Sequence, residues 1–294
     1  MTQHIPVLAD EVLEALGPSA GDFLIDGTCG GGGHAQLLAR RVQPDGLVLA
    51  VDRDPAAIER CHPRLSGLPV KLVPGNFADL PEIVAELDAG PAQGILLDLG
   101  LSSDQLADVD RGFSYLSEGP LDLRFNPAQG DPAWKLLERL SERHLADLIY
   151  RWGEERMSRR IARAIVGQRR DRPIRTAAQL SGLLERVVPR SRNHSIHPAT
   201  RTFQALRIAV NEELKWAEVA VRRLPELLAP GGRMVVISFH SLEDRMVKQA
   251  FRDNELLEVL TRKPVRPGEQ EVSRNPRSRS ARARVAERKA APRP

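Results

Sequence analysis

The chain is 294 residues long, 41% hydrophobic and 28% charged, with a formal net charge of +4. These values describe an ordinary soluble globular protein with core enough for one large domain or two. Its two cysteines, Cys29 and Cys61, lack metal-ligand spacing, which excludes a zinc site and a disulfide framework and fits a reducing cytosol.

The first residues have neither a basic start nor a long apolar core, and no stretch approaches about 18 uninterrupted apolar residues. The expectation is a cytoplasmic protein without signal peptide or membrane span. Residues 7–16 then read as a short amphipathic helix, apolar at Val7, Leu8, Val12, Leu13 and Leu16. Phe23-Leu24-Ile25-Asp26 reads as a buried strand ending in a carboxylate. A glycine run, Gly27-Thr28-Cys29-Gly30-Gly31-Gly32-Gly33-His34, leads into a helical pattern through Leu37 and Leu38. Strand, glycine loop and helix together open a nucleotide-binding α/β fold. A second strand, residues 47–51, ends at Asp52, the spacing at which an acid meets a ribose diol.

The loop carries no basic residue before Arg40, whereas a pyrophosphate favours helix N–H groups with Lys or Arg. Asp26 suits a cationic ligand such as the sulfonium and ammonium of S-adenosylmethionine. The glycines also fit G-x-G-x-x-A (Gly30, Gly32, Ala35), which keeps a dinucleotide open at this point.

Residues 55–61 read as a helix opened by Asp54 and Pro55. A third strand at 70–73 precedes Gly75-Asn76-Phe77-Ala78-Asp79, where Phe77 reads equally as an adenine border or a core plug. A helix at 80–87 and a fourth strand at 94–98 follow, the strand ending at Asp98. Strands alternating with helices imply a parallel, doubly wound sheet. Asp26, Asp52 and Asp98 then converge on the crevice at the strands' C-terminal ends.

The rhythm breaks after Asp98, since the next good strand is 234–237 and a βαβ crossover takes only about 30 residues. An inserted helical domain near 105–200 is expected, between first and second parts of the main domain at 1–104 and 201–294. Helices are expected at 134–140, 144–152 and 155–168. A long helix at 202–224 resumes the crossover, and Ser241 reads as the cap of a helix running to Arg252. A sixth strand is expected at 256–260, and an Arg-, Pro- and Ser-rich flexible loop from Thr261. Residues 281–287 read either as a last edge strand or as a disordered basic tail.

Charge is unevenly distributed. Residues 111–200 carry 17 basic and 10 acidic side chains, residues 261–294 carry 11 and 3, and the remainder 15 and 26. An acidic body with a basic insert and a basic tail points to a polyanionic partner, most simply nucleic acid. Arg156, Arg159, Arg160, Arg163, Arg201 and the tail arginines are candidate phosphate contacts.

Eight segments carry a resemblance. They are His4-Ile5-Pro6-Val7-Leu8, Asp26-Gly27-Thr28 with Gly32-Gly33-His34, Asp52-Arg53-Asp54-Pro55, Leu97-Asp98-Leu99-Gly100, Arg111-Gly112-Phe113-Ser114, His197-Pro198-Ala199-Thr200-Arg201-Thr202-Phe203-Gln204-Ala205, Ser238-Phe239-His240-Ser241-Leu242-Glu243-Asp244-Arg245 and Asn275-Pro276-Arg277-Ser278-Arg279-Ser280. In this order they closely resemble the ribosomal RNA small subunit methyltransferase H family, bacterial enzymes that N4-methylate a cytidine in the decoding region of 16S rRNA. The resemblance implies a Rossmann-like class I methyltransferase sheet with an inserted substrate-recognition domain, and S-adenosylmethionine as donor. It implies cofactor contacts at Gly32, Gly33, His34, Asp52, Phe77, Asp98 and Gln105, with 16S rRNA or the small ribosomal subunit as partner and no metal. Neither monomer nor homodimer is selected. The glycine loop departs from relatives at Gly31, where a larger residue can stand. The prolines that follow strand four in amino-methylating DNA enzymes are missing from Asp98-Leu99-Gly100-Leu101, so that mechanism does not carry over.

The acceptor would be the cytosine exocyclic amine, whose lone pair is shared with the ring. A group near its N–H would localise that pair and take the proton late. Candidates are Asp98 and Ser102 after strand four and Ser238 and His240 after strand five. His240 reads equally as a hydrogen-bonded core histidine. Two rival functions remain at this stage, a nicotinamide-dependent oxidoreductase and a non-catalytic RNA-binding factor.

Overall fold

The computed structural model describes residues 5–189 and 196–290, so His4 lies outside the described residues. The chain forms two compact units, one comprising Met1–Leu101 and Leu214–Pro294, the other Ser102–Glu213.

The first unit begins with α1 (Ala9–Leu16), stopped by Gly17 in the left-handed region with its N–H on the Leu13 carbonyl. β1 (Phe23–Asp26), α2 (Gly33–Val42), β2 (Leu47–Asp52) and α3 (Pro55–Leu65) follow. Asp54 caps α3 by accepting from the Ala56 N–H, and the helix runs through Pro63, four residues beyond expectation. β3 (Val70–Pro74), α4 (Leu80–Leu87) and β4 (Ala92–Asp98) complete this half.

β1 to β4 pair in parallel. Both faces of their sheet are covered, which is why the strands read as continuous apolar runs. Period-two alternation divides them: Leu24, Val48 and Leu96 face a cluster with Val12 and Leu38, while Ile25, Leu49 and Leu97 face one with Leu80, Leu224 and Phe251.

The second unit holds α5 (Ser103–Ala107), α6 (Ala133–Arg139), α7 (Glu142–Gly153), α8 (Ser158–Asp171), α9 (Ala177–Val187) and α10 (Thr200–Asn211). It reaches further than the 105–200 expectation, because α10 belongs to it. The expected long helix at 202–224 is two helices. Glu212 sits at φ 51°, and α11 (Glu213–Arg223) starts afresh. A single left-handed residue ends an α-helix, a break invisible in the apolar periodicity.

The Arg111-Gly112 motif is structural here. Arg111 is buried and its Nη2 donates to the carbonyls of Arg124 and Phe125 at 2.6 Å each. A Cβ on Gly112, which has φ 65°, would lie 2.1 Å from the Pro120 carbonyl oxygen, so only glycine fits.

Back in the first unit, β5 (Leu228–Ser238) begins six residues before the expected strand, with a register shift against β4. α12 (Ser241–Asp253), β6 (Leu257–Val259), α13 (Glu269–Arg274) and β7 (Arg282–Arg288) follow. The sheet order is β3-β2-β1-β4-β5-β7-β6, with β7 antiparallel to both neighbours. Residues 281–287 therefore form a strand rather than a disordered tail, and it lies inside the sheet; β6 is the edge. The expected flexible loop after Thr261 is tied down. Val265 bridges to Ala283, Glu271 Oε1 accepts from the Leu8 N–H at 2.8 Å, and Asn275 Nδ2 donates to the Ile5 carbonyl at 3.2 Å. The last two tethers join residues 263 and 270 positions apart in sequence, which local composition cannot reveal.

Candidate active site

The strand order reverses at β1, between β2 and β4, and at this switch point a doubly wound sheet opens a crevice beyond its C-terminal ends. The glycine loop is strung across it as if it continued the sheet. Gly27 N–H donates to the Leu96 carbonyl at 2.9 Å and Cys29 N–H to the Val51 carbonyl at 2.8 Å. Gly30 and Gly32 take φ 52° and 75°, which lets the chain turn into α2. α3 grips the loop from outside, through Cys61 Sγ on the Gly30 carbonyl and Arg64 Nη1 on the Gly31 carbonyl. The basic residue missing from the loop's sequence thus comes from α3, and it is spent on backbone.

Three carboxylates end three strands. Asp52 Oδ2 accepts from the Gly30 N–H at 2.7 Å and Oδ1 from the Asp54 N–H at 2.8 Å. Burial pushes its pKa up to about 6 against those two hydrogen bonds. Asp26 is fully buried; its Oδ1 accepts from the Thr28 N–H at 3.1 Å, and its Oδ2 has no hydrogen-bond partner among the described residues. Burial, reinforced by the charge of Asp52, raises its pKa to about 7.

Asp98 is anchored by its backbone N–H, which donates to Thr28 Oγ1 at 2.6 Å. Its side chain is 19% exposed, with Oδ2 3.8 Å from His34 Nε2 and Oδ1 without a hydrogen-bond partner among the described residues. Burial first, then the charges of Asp26 and Glu243, hold Asp98 well above the ordinary carboxylate range.

The loop residues Gly32, Gly33 and His34 stand at the start of α2, with His34 buried. Phe77 is half-buried, packs on the sheet core, and has its Cβ 3.2 Å from where a Cβ on Gly27 would be. It therefore flanks the glycine loop and also touches the core.

The structure thus brings Gly32, Gly33, His34, Asp52, Phe77 and Asp98 to one end of one sheet. Gln105 and Ser102 lie in the second unit. There they form a reciprocal cap on α5, Ser102 Oγ accepting from the Gln105 N–H at 3.1 Å and Gln105 Oε1 from the Ser102 N–H at 3.0 Å.

Two candidates after β5 already have partners. Ser238 is buried and its Oγ donates to the Arg282 carbonyl at 3.2 Å. His240, not Ser241, caps α12: its Nδ1 accepts from the Glu243 N–H, and its Nε2 lies 3.1 Å from Glu243 Oε1. Glu243 is buried and also accepts from the Phe239 N–H at 2.8 Å. Glu243 and Thr28 escaped the sequence reading. The His240-x-x-Glu243 spacing, a capping box with an unusual first residue, is the signal that could have found the former.

The chemistry of this donor set is acidic and underneutralised. Asp26 Oδ2 and Asp98 Oδ1 are buried acceptors still wanting a donor or a cation, which natural structures rarely leave. Such a crevice fits a cationic ligand with a ribose and repels the phosphates of a dinucleotide. Among the described residues no group of three or more His, Cys, Asp or Glu is arranged to hold a metal, and no helix is long and apolar enough to cross a membrane.

The profile of the MraW methylase family matches residues 1–289. The chain belongs to the MraW methylase family. This MraW methylase is 49% identical over 298 residues to the ribosomal RNA small subunit methyltransferase H of Rhodopirellula baltica, covering 98% of this chain and 92% of the relative. It is 48% identical over 307 residues to that of Thermomicrobium roseum, covering 98% and 94%. In fold it is similar to a candidate rRNA-methylase from Clostridium thermocellum, with a TM-score of 0.50 and 14% identity, covering 97% of this chain and 99% of the other. The sheet is thus the Rossmann-like sheet of class I methyltransferases, whose donor is S-adenosylmethionine.

Proposed function

We propose that this MraW methylase transfers a methyl group from S-adenosylmethionine to N4 of a cytidine in the decoding region of 16S rRNA, in free rRNA or the small ribosomal subunit. The observation that carries the reading is the acidic crevice itself, with Asp26 Oδ2 and Asp98 Oδ1 buried and unpartnered at the ends of β1 and β4. The names of the relatives at 48–49% identity supply the class of substrate.

Asp52 holds the ribose diol, using lone pairs left over from its two backbone hydrogen bonds. Gly32, Gly33 and His34 present backbone and ring to the amino-acid end, with Asp26 as the counter-charge. Phe77 borders the adenine. Bound there, the donor supplies an electrophilic methyl carbon.

Asp98 is the candidate that can act on the acceptor. Ser238 is engaged in holding β7 and Ser102 caps α5, while His240 is committed through Nδ1 to the cap of α12, its Nε2 facing Glu243 Oε1 at 3.1 Å without a hydrogen bond among the described residues. Asp98 Oδ1 accepts from the amine N–H and localises the nitrogen lone pair. With the methyl carbon supplied by a bound donor, Oδ1 would take the amine proton late in the transfer. The raised pKa of Asp98 makes it a stronger base for that late transfer. The remaining work is alignment of nitrogen, methyl and sulfur.

The test is incubation of the purified protein with labelled donor and small ribosomal subunits, followed by mass analysis of the rRNA nucleosides. A single N4-methylated cytidine is expected. A methyl group on another atom, or none, overturns the reading.

A further inference from the structure

In the second unit, α8 carries a face of exposed arginines, most of them without an ion pair among the described residues. α7 and α8 are consecutive neighbours joined by residues 154–157, a link tightened by the buried Glu155 accepting from the Met157 N–H at 2.8 Å. α8 buries Ser158, Ile161, Ala162 and Ile165. At 3.6 residues per turn, Arg156, Arg159, Arg163 and Arg170 fall together on the opposite side, with Arg160 beside them, and all five are exposed. Arg163 has a carboxylate partner, Glu142 at 3.4 Å, in an exposed pair that salt or a competing anion exchanges readily. Arg156, Arg159, Arg160 and Arg170 form no ion pair among the described residues.

The second observation is an exposed aromatic ring near the end of α7, the helix that precedes α8. Tyr150 is 63% exposed, and among the described residues no other Phe, Trp or Tyr is classed as exposed. It stands three residues before the end of α7, about 4.5 Å along the axis. Packed helices lie roughly 8–10 Å apart, so Tyr150 and the arginines opening α8 share the hairpin's turn. A tyrosine of this kind normally hides its ring; left out, it offers a flat apolar face beside a cationic track. The nearby acids, Asp147 and Glu154, lie on α7 and its end, which steers a polyanion along α8.

We infer that α8 is a track for a single-stranded RNA segment, its phosphates on Arg156, Arg159, Arg160 and Arg170 and an unpaired base stacked on Tyr150. A duplex keeps its bases stacked on one another and has none to offer the ring. The strip from 156 to 170 extends ~20 Å, enough for several nucleotides. The inference rests on the rRNA substrate proposed above and adds which strand form is held, and where.

The test uses the full chain and fluorescence anisotropy with a labelled single-stranded RNA and, separately, an RNA hairpin duplex. Tyr150→Ala is expected to weaken single-strand binding about ten-fold, while Tyr150→Phe keeps it, since stacking needs the ring and not the hydroxyl. Duplex binding should be unchanged by either. The double variant Arg159→Gln/Arg160→Gln should lower the salt slope for single strands by about 1.4. Unchanged melting temperatures and donor binding confirm that the variants fold. Single-strand binding by Tyr150→Ala equal to wild type, or a wild-type preference for duplex, overturns the inference. Methylation of small subunits by the wild type is measured in parallel. Its loss with the Tyr150 effect intact strikes the functional reading alone, and its presence with Tyr150→Ala binding normally strikes only this one.

Discussion

The strand-end crevice and the outer face of α8 are opposite solutions to holding unneutralised charge. In the crevice, Asp26 is taken out of water and Asp52 and Asp98 largely so, and the cost of desolvation shows as raised pKa values. On α8 the arginines stay hydrated and keep their charge at little cost. Burial therefore decides what each region can recognise. A few desolvated acids bind one small cation strongly and with little sensitivity to salt. Many exposed bases bind a long polyanion collectively, each contact weak and screened.

The largest effect that would sharpen this contrast comes from Asp98→Asn. It keeps the shape of the side chain and removes the base, so the transfer rate on small subunits should fall by about 10²–10⁴-fold. Calorimetry with S-adenosylhomocysteine should show affinity changed far less. A variant with normal turnover and poor cofactor binding would reassign Asp98 to the donor alone. Next comes Asp52→Ala, which removes both the proposed ribose acceptor and the carboxylate that holds the Gly30 and Asp54 N–H groups. Donor affinity should drop roughly 10- to 100-fold, the value of about 1.5–3 kcal/mol for hydrogen bonds to a charged group. RNA binding should be untouched.

A smaller effect concerns pH. Asp26 titrates near 7 in the folded protein against an ordinary 3.8. The folded state therefore holds more protons than the unfolded state between those values, and this group's contribution to stability is lost as pH rises through about 7. The donor-free protein should melt lower at pH 8 than at pH 5.5 on this account, and Asp26→Asn should flatten the profile and raise the melting temperature at the alkaline end. Scanning calorimetry across pH decides; a profile unchanged by the substitution would mean that Asp26 is not the buried charge described. For the crevice itself the smallest effect is that of salt, where it is most unlike α8. Raising salt from 50 to 200 mM should leave donor affinity nearly constant while RNA affinity falls steeply, by orders of magnitude if six or more phosphates are neutralised. Equal salt slopes for the two ligands would erase the distinction between the regions.

Much of the crevice was legible because it is built from local signals. Asp26, Asp52 and Asp98 each follow an apolar run, and a strand's last residue must lie at the sheet's ligand-binding edge once the topology is doubly wound. Gly32, Gly33 and His34 follow from the glycine loop for the same reason. The role of His240 was not legible. A histidine at a helix cap looks the same in sequence as one aimed at a substrate, and only the positions of Glu243 and the Phe239 N–H separate them. Nor was the purpose of Arg111 visible, since the carbonyls it binds belong to residues 13 and 14 positions later in an irregular loop. Arg64 illustrates the converse case, a basic residue outside the loop motif that reaches back onto the Gly31 carbonyl.

Periodicity and strand-end residues alone determined a parallel α/β sheet, an interruption after Asp98 and acids gathered at the strand ends, because those properties depend on neighbours within a few positions. Tertiary structure alone decided that β7 lies inside the sheet, that the helix after Thr200 stops at Asn211, and that the segment around α13 is fastened to the N-terminal residues. It also decided which acids keep an unpartnered oxygen. The reason is common to all of these: strand partners, distant tethers and desolvation are set by residues remote in the chain, and no local pattern encodes the distance between them.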